Sequence, residues 1–119
     1  MSNKVIYLII DGLAWQVARD NMGYLLALCE AGQASRYQLE CELPSLSRPL
    51  YETLLTGQTP VHSGIRHNGV NRLSNQLSLF HLARDAGLVT AAAAYHWFSE
   101  LYNRSPYQAR RDRITDDPT

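Results

Sequence analysis

Six consecutive apolar residues, Val5-Ile6-Tyr7-Leu8-Ile9-Ile10, run into Asp11-Gly12. A β-branched and aromatic run of this kind has no polar face to offer water. It therefore reads as a strand covered on both sides, as strands of a parallel sheet are. The run is far shorter than the roughly 20 apolar residues that a membrane-crossing helix needs. No secretory leader pattern precedes it, and a cytoplasmic setting is the expectation.

The rest of the chain alternates around that strand. Met22, Leu25, Leu26 and Cys29 recur at helical spacing and Gly32 follows, which predicts a helix over about 14–31, broken near Asn21-Met22-Gly23. Arg36 to Cys41 alternates and reads as a second strand, and 43–47 leaves it as a loop. Pro49 fits a first helical turn, where its missing N–H costs nothing, and Tyr51 to Thr56 continues that helix until Gly57. Residues 58–75, rich in Gly, Pro, Asn and Ser, read as a structured loop. Leu79, Leu82, Ala83 and Ala86 mark another helix, beginning near Ser74 and stopped by Gly87. Leu88 to Tyr95 reads as a buried strand. This order predicts an α/β domain with a largely parallel sheet and flanking helices. After Trp97 the periodicity fades. The expected organisation is an α/β segment over residues 1–103 and an irregular charged tail over 104–119.

Charge argues against a polyanionic partner. Lys plus Arg and Asp plus Glu number 11 each in 119 residues, so no field recruits nucleic acid or an anionic membrane. Arg104, Arg110, Arg111 and Arg113 cluster, but beside Asp112, Asp116 and Asp117, as a solvated tail does. Cys29 and Cys41 suggest no disulfide framework and read as buried free thiols.

Two positions carry possible chemistry. Asp11 stands beyond the carboxyl end of the first strand, where open α/β sheets gather ligands, and its carboxylate is a hard donor for a divalent cation. A turn or capping Asp fits the same place. Ser47 precedes a helix, where N–H groups and the helix dipole favour an anion or an alkoxide. An ordinary N-cap serine fits equally.

The segment Pro44-Ser45-Leu46-Ser47-Arg48-Pro49-Leu50-Tyr51-Glu52-Thr53-Leu54-Leu55-Thr56-Gly57, followed by Pro60 and Gly64-Ile65, resembles the nucleophile region of the type I phosphodiesterase/nucleotide pyrophosphatase family. These enzymes belong to the alkaline phosphatase superfamily. The likeness spans about residues 4–101 and covers the N-terminal part of such a fold. It implies a metal-dependent phosphoric ester hydrolase. Ser47 would be the nucleophile, Asp11 and Ser47 would ligate a metal, and Asn68 would contact a phosphoryl oxygen. It further implies two divalent ions, zinc foremost, and a small phosphate ester or diester as substrate.

The chain also departs from the family. The position after the nucleophile, often aromatic in nucleotide-cleaving relatives, is Arg48, which would meet a second anionic group of the substrate or face solvent. Leu50 stands where some relatives carry Asn, and His62-Ser63-Gly64-Ile65 replaces Ser-His-Gly-Ile. His62 reads as structural, and His67, His81 and His96 as surface or packed residues.

The later Asp and His ligands that the resemblance implies are not recognisable, so the second metal site cannot be built. The expectation is a truncated chain, inactive alone, whose partner is the missing C-terminal part of the same protein. Two alternatives stand beside it: a non-catalytic α/β anion-binding fragment, and a hydrolase of phosphonate or sulfate esters on the same scaffold. Ser47-Arg48-Pro49 lacks the sulfatase spacing, and Leu13 stands where other α/β phosphatases need a second Asp.

Overall fold

The computed structural model describes residues 4–102 and the strand 114–117. Two compact units divide the chain, Met1–Glu40 and Cys41–Thr119. The basic cluster 104–113 lies outside the described residues, and so does most of the 104–119 tail.

In the first unit, α1 (Trp15–Asn21) and α2 (Gly23–Glu30) meet at Met22, whose φ of −96° and ψ of 62° break the helical path. The predicted helix with its interruption is thus present. α2 ends in a Schellman turn: Gln33 N–H donates to the Leu28 carbonyl at 2.9 Å, and Gly32 N–H to that of Cys29 at 3.0 Å. Arg36 lies over the Trp15 ring, 5.4 Å from its centroid.

Both strands expected in this unit are corrected. Residues 5–10 and 36–41 form no strand. Ile6 is 92% exposed and Tyr37 77%. The physical reason is that β-propensity describes fit to a pleated, covered surface and is not an intrinsic backbone preference. A run apolar on both faces becomes a strand only when neighbouring strands and covering helices meet it.

The second unit holds the core. α3 (Ser47–Thr56) carries buried Tyr51 and Leu55, and α6 (His96–Tyr102) carries buried Phe98, Leu101 and Tyr102. Tyr51 stacks on Phe98 with centroids 4.4 Å apart, a geometry that adds about 1 kcal/mol to the burial itself. Ile65, fully buried, completes this core. α6 is a correction: the sequence pattern fades after Trp97, yet the helix continues to Tyr102 because its apolar side chains face α3.

α4 (Pro60–Ser63) interrupts the expected loop 58–75, with Thr59 accepting from the His62 N–H at 3.3 Å and proline at the first helical position. α5 (Leu79–Asp85) begins at Ser78, not Ser74. A capping box joins Ser78 to His81, and Leu88 N–H and Gly87 N–H close the helix on Ala83 and Arg84. Of the predicted strand 88–95, β1 covers Ala92–Tyr95, while Leu88 and Val89 are exposed. β1 pairs in parallel with β2 (Ile114–Asp117), Ala92 opposite Ile114 and Tyr95 opposite Asp117. This pair is the sheet among the described residues, against the larger one expected. Cys29 and Cys41 are free, and Cys41 is exposed, not buried. No helix of the described residues is long and apolar enough to cross a membrane.

Candidate functional site

Ser47 is the first residue of α3, and Leu46 with extended backbone is the N-cap. The expectation of Ser47 as N-cap is off by one residue. Leu46 has no polar side chain, so no side chain of the N-cap residue caps this helix start. Pro49 falls inside the first turn, where no carbonyl awaits an N–H.

The main-chain donors of that turn are largely committed. Leu46 N–H donates to the Pro44 carbonyl at 2.9 Å, Arg48 N–H donates to Asn68 Oδ1 at 3.0 Å, and Pro49 has none. The Ser47 N–H is what remains. The picture of a helix terminus cradling an anion with several N–H groups therefore weakens. Asn68 is the side chain that meets this turn. Since an N–H must meet an acceptor, the carboxamide oxygen faces α3, and the two hydrogens of Nδ2 are turned elsewhere. Ser47 and Asn68, 21 positions apart in sequence, are thus joined through the residue next to Ser47.

Arg48 is corrected. The sequence offers it to substrate or to solvent, but its guanidinium is turned inward and only 4% of the residue is exposed. Nη2 pairs with Glu100 Oε2 at 2.7 Å. Nη1 donates to the Val70 carbonyl at 2.9 Å, and the group lies 4.5 Å from the centre of the Trp97 ring. Its charge is thus paired with Glu100 and its flat face lies on Trp97.

One turn further on, Glu52 is fully buried. Its carboxylate accepts from the Ser74 hydroxyl and from the Tyr102 hydroxyl at 2.7 Å. Burial, then the neighbouring Glu52 charge and hydrogen bond, push the Tyr102 phenol well above its ordinary range. The sequence pattern marks Glu52 only as a helix residue and leaves Tyr102 in the stretch where the periodicity fades. A carboxylate among apolar positions of α3 was the available signal.

The Thr-Leu-Leu-Thr-Gly segment proves to be helix-ending hardware. Thr53 Oγ1 donates to the Gln58 carbonyl at 2.8 Å, Thr56 Oγ1 donates to the Glu52 carbonyl at 2.7 Å, and Gly57 takes φ of 72°. The histidines are structural partners where bonded: His67 Nδ1 accepts from Gly69 N–H at 3.1 Å, and His96 Nε2 lies 3.8 Å from Glu100 Oε1. Exposed His62 belongs to α4.

Asp11 is exposed, in the turn that follows residues 4–10 of the first unit. Ser47 and Asn68 belong to the second. Among the described residues no group of three or more His, Cys, Asp or Glu side chains could hold a metal ion. The residues present therefore do not by themselves fit a metal centre, which needs about three or more protein ligands per zinc.

No curated protein and no solved structure matches the chain. Residues 5–111 match the type I phosphodiesterase/nucleotide pyrophosphatase family, which covers nearly the whole sequence, including the Ser47 and Asn68 segments. The chain belongs to that family of phosphoester hydrolases, within the alkaline phosphatase superfamily.

Proposed function

We infer that this chain supplies the nucleophile half of a phosphoester hydrolase site, with Ser47 attacking phosphorus and Asn68 donating to a phosphoryl oxygen. The observation that carries the reading is the bond from Arg48 N–H to Asn68 Oδ1 at 3.0 Å. It brings the two family-implied residues to one helix start and leaves the carboxamide NH2 as a donor. A donor held in place before the reaction stabilises charge that grows on an equatorial oxygen without reorganising. In the proposed step the Ser47 hydroxyl gives its proton to water, its oxygen bonds phosphorus as the bond to the leaving alkoxide breaks, and the alkoxide takes a proton from water. The product is a serine phosphate that water later releases.

The resemblance adds Asp11 as a metal ligand and two divalent ions, zinc foremost, which would make the serine hydroxyl a better nucleophile when bound. The described residues add no cluster of further ligands, and the proposed source of the others is further polypeptide, the proposed partner. The proposed substrate is a small phosphate ester or diester. Arg48 gives no support to a nucleotide preference.

Incubating the 119-residue chain, with Zn2+ and with polypeptide carrying the remaining ligands, with p-nitrophenyl phosphate tests the reading. Mass spectrometry should find phosphate on Ser47, and none in Ser47→Ala. Phosphate on another residue, or equal labelling of the variant, would reject Ser47 as nucleophile. The anion-binding alternative predicts phosphate affinity without covalent capture.

A further inference from the structure

Residues 67–70 form a turn that Arg48 grips at two points. Val70 N–H donates to the His67 carbonyl at 3.2 Å, closing the turn. Within it, Gly69 N–H is taken by His67 Nδ1. Arg48 then binds the turn from outside. Its main-chain N–H holds the side-chain oxygen of Asn68, and its guanidinium holds the carbonyl of Val70 at 2.9 Å. The same guanidinium is tied to Glu100 of α6 at 2.7 Å and lies over Trp97. One buried side chain thus connects α3, α6 and the turn that carries Asn68.

We propose that Arg48 is a positioning residue for the reaction: it fixes the Asn68 carboxamide with its oxygen toward α3, so that the NH2 end is the donor offered to a substrate bound at Ser47. The inference rests on the reading of Ser47 and Asn68 as the reacting pair. Arginine suits the task because its planar fork supplies separate nitrogens to the Val70 carbonyl and to the Glu100 carboxylate at fixed angles. Lysine, with one nitrogen, cannot span both while keeping a flat face on Trp97. Without the guanidinium, the turn keeps its internal bonds but loses its anchor to α6. The Asn68 amide can then rotate, and a donor that must be reoriented during the reaction contributes less than one already in place. Glu100 is the second member of the device, since removing its charge leaves the Arg48 guanidinium buried without its counter-charge.

The test is NMR of the 15N-labelled full chain, beside the Ser47 phosphate-capture assay described above, on wild type and on Arg48→Lys, Asn68→Asp and Asn68→Leu. In wild type the Arg48 main-chain amide should exchange at least tenfold more slowly than in Asn68→Leu, and the two Asn68 NH2 protons should be well separated in shift. Arg48→Lys should retain the dispersed spectrum of a folded chain. Its Asn68 NH2 pair should move to the shifts of an exposed Asn, its position-48 amide protection should fall about tenfold, and capture on Ser47 should fall about tenfold. A packing role alone would leave the Asn68 resonances in place, and that result in Arg48→Lys overturns the proposal.

Should Arg48→Lys fail to fold, Asn68→Asp decides. A carboxylate still accepts from the Arg48 N–H but carries no NH2, so protection should persist while capture is lost. Protection lost in Asn68→Asp, or capture retained, overturns the proposal. A wild-type chain with the expected NMR signature but no phosphate on Ser47 would refute the hydrolase reading and, with it, the catalytic purpose assigned to Arg48. An unprotected Arg48 amide in a wild type that does capture phosphate would refute the positioning role alone.

Discussion

Glu52 and Tyr102 show how much one buried carboxylate organises. The acid sits on α3 with no exposure, and its two hydroxyl partners come from the 74 loop and from α6. Glu52→Ala should cost about 3 kcal/mol, because a buried phenol and a half-buried serine hydroxyl lose a charged acceptor. Urea denaturation of the variant should show the lower midpoint, and an unchanged midpoint would mean that the network is not closed in solution. Tyr102 makes a pH-dependent prediction. Its phenol is raised in the folded chain, whereas the unfolded chain ionises at about pH 10. Below that pH both states hold the proton, and the full stabilisation is present. Above it the unfolded state releases the proton first, so stability falls as pH rises, by up to about 1.4 kcal/mol per pH unit. Tyr102→Phe should flatten this alkaline slope in denaturation curves measured between about pH 9 and 11.

Among elements, the C-terminus of α3 and both ends of α5 can be traced bond by bond. The left-handed Gly57 at φ of 72° has no side-chain obstacle, so Gly57→Ala should cost only the backbone penalty, about 1 kcal/mol. A loss above about 3 kcal/mol in a thermal melt would point to contacts that the helix end is not seen to make. Gly64 is a different case. A Cβ there would stand 2.8 Å from Arg72 Nη2, which itself donates to the Ser63 carbonyl at 2.7 Å. The start of α5 shows why local sequence misplaces a helix boundary. Ser74 and Ser78 are both acceptable caps, but Ser74 Oγ accepts from the Gln76 N–H at 3.1 Å in a turn of its own, while its proton goes to Glu52. Ser78 is left to cap, with His81 reciprocating. Ser78→Ala should lower stability by about 1 kcal/mol and Ser74→Ala should disturb the Glu52 network instead, a distinction that helix-specific amide exchange in α5 would read.

At the scale of the whole molecule, the described residues bring Ser47 and Asn68 to one helix start and hold no group of three or more His, Cys, Asp or Glu side chains fit for a metal ion. Calorimetric titration of Zn2+ into this chain should give a dissociation constant of about 1 mM or weaker, near −4 kcal/mol. Submicromolar binding would contradict the ligand set described here. Wherever one stretch of chain sufficed, the sequence alone determined the outcome: the break between α1 and α2 at Met22, the run of α3 to Gly57, the stop of α5 at Gly87, and the likeness around Ser47 that gave the family. Those features depend on backbone conformational preference and on hydrogen bonds within a few residues, both of which are written locally. The tertiary structure decided the rest. It left residues 5–10 and 36–41 without a ladder, extended α6 past the fading pattern, and turned Arg48 from the surface to Glu100 and Trp97. Strand formation and the burial of a charge each depend on which distant group arrives, and burial is a property of neighbours and not of residue type.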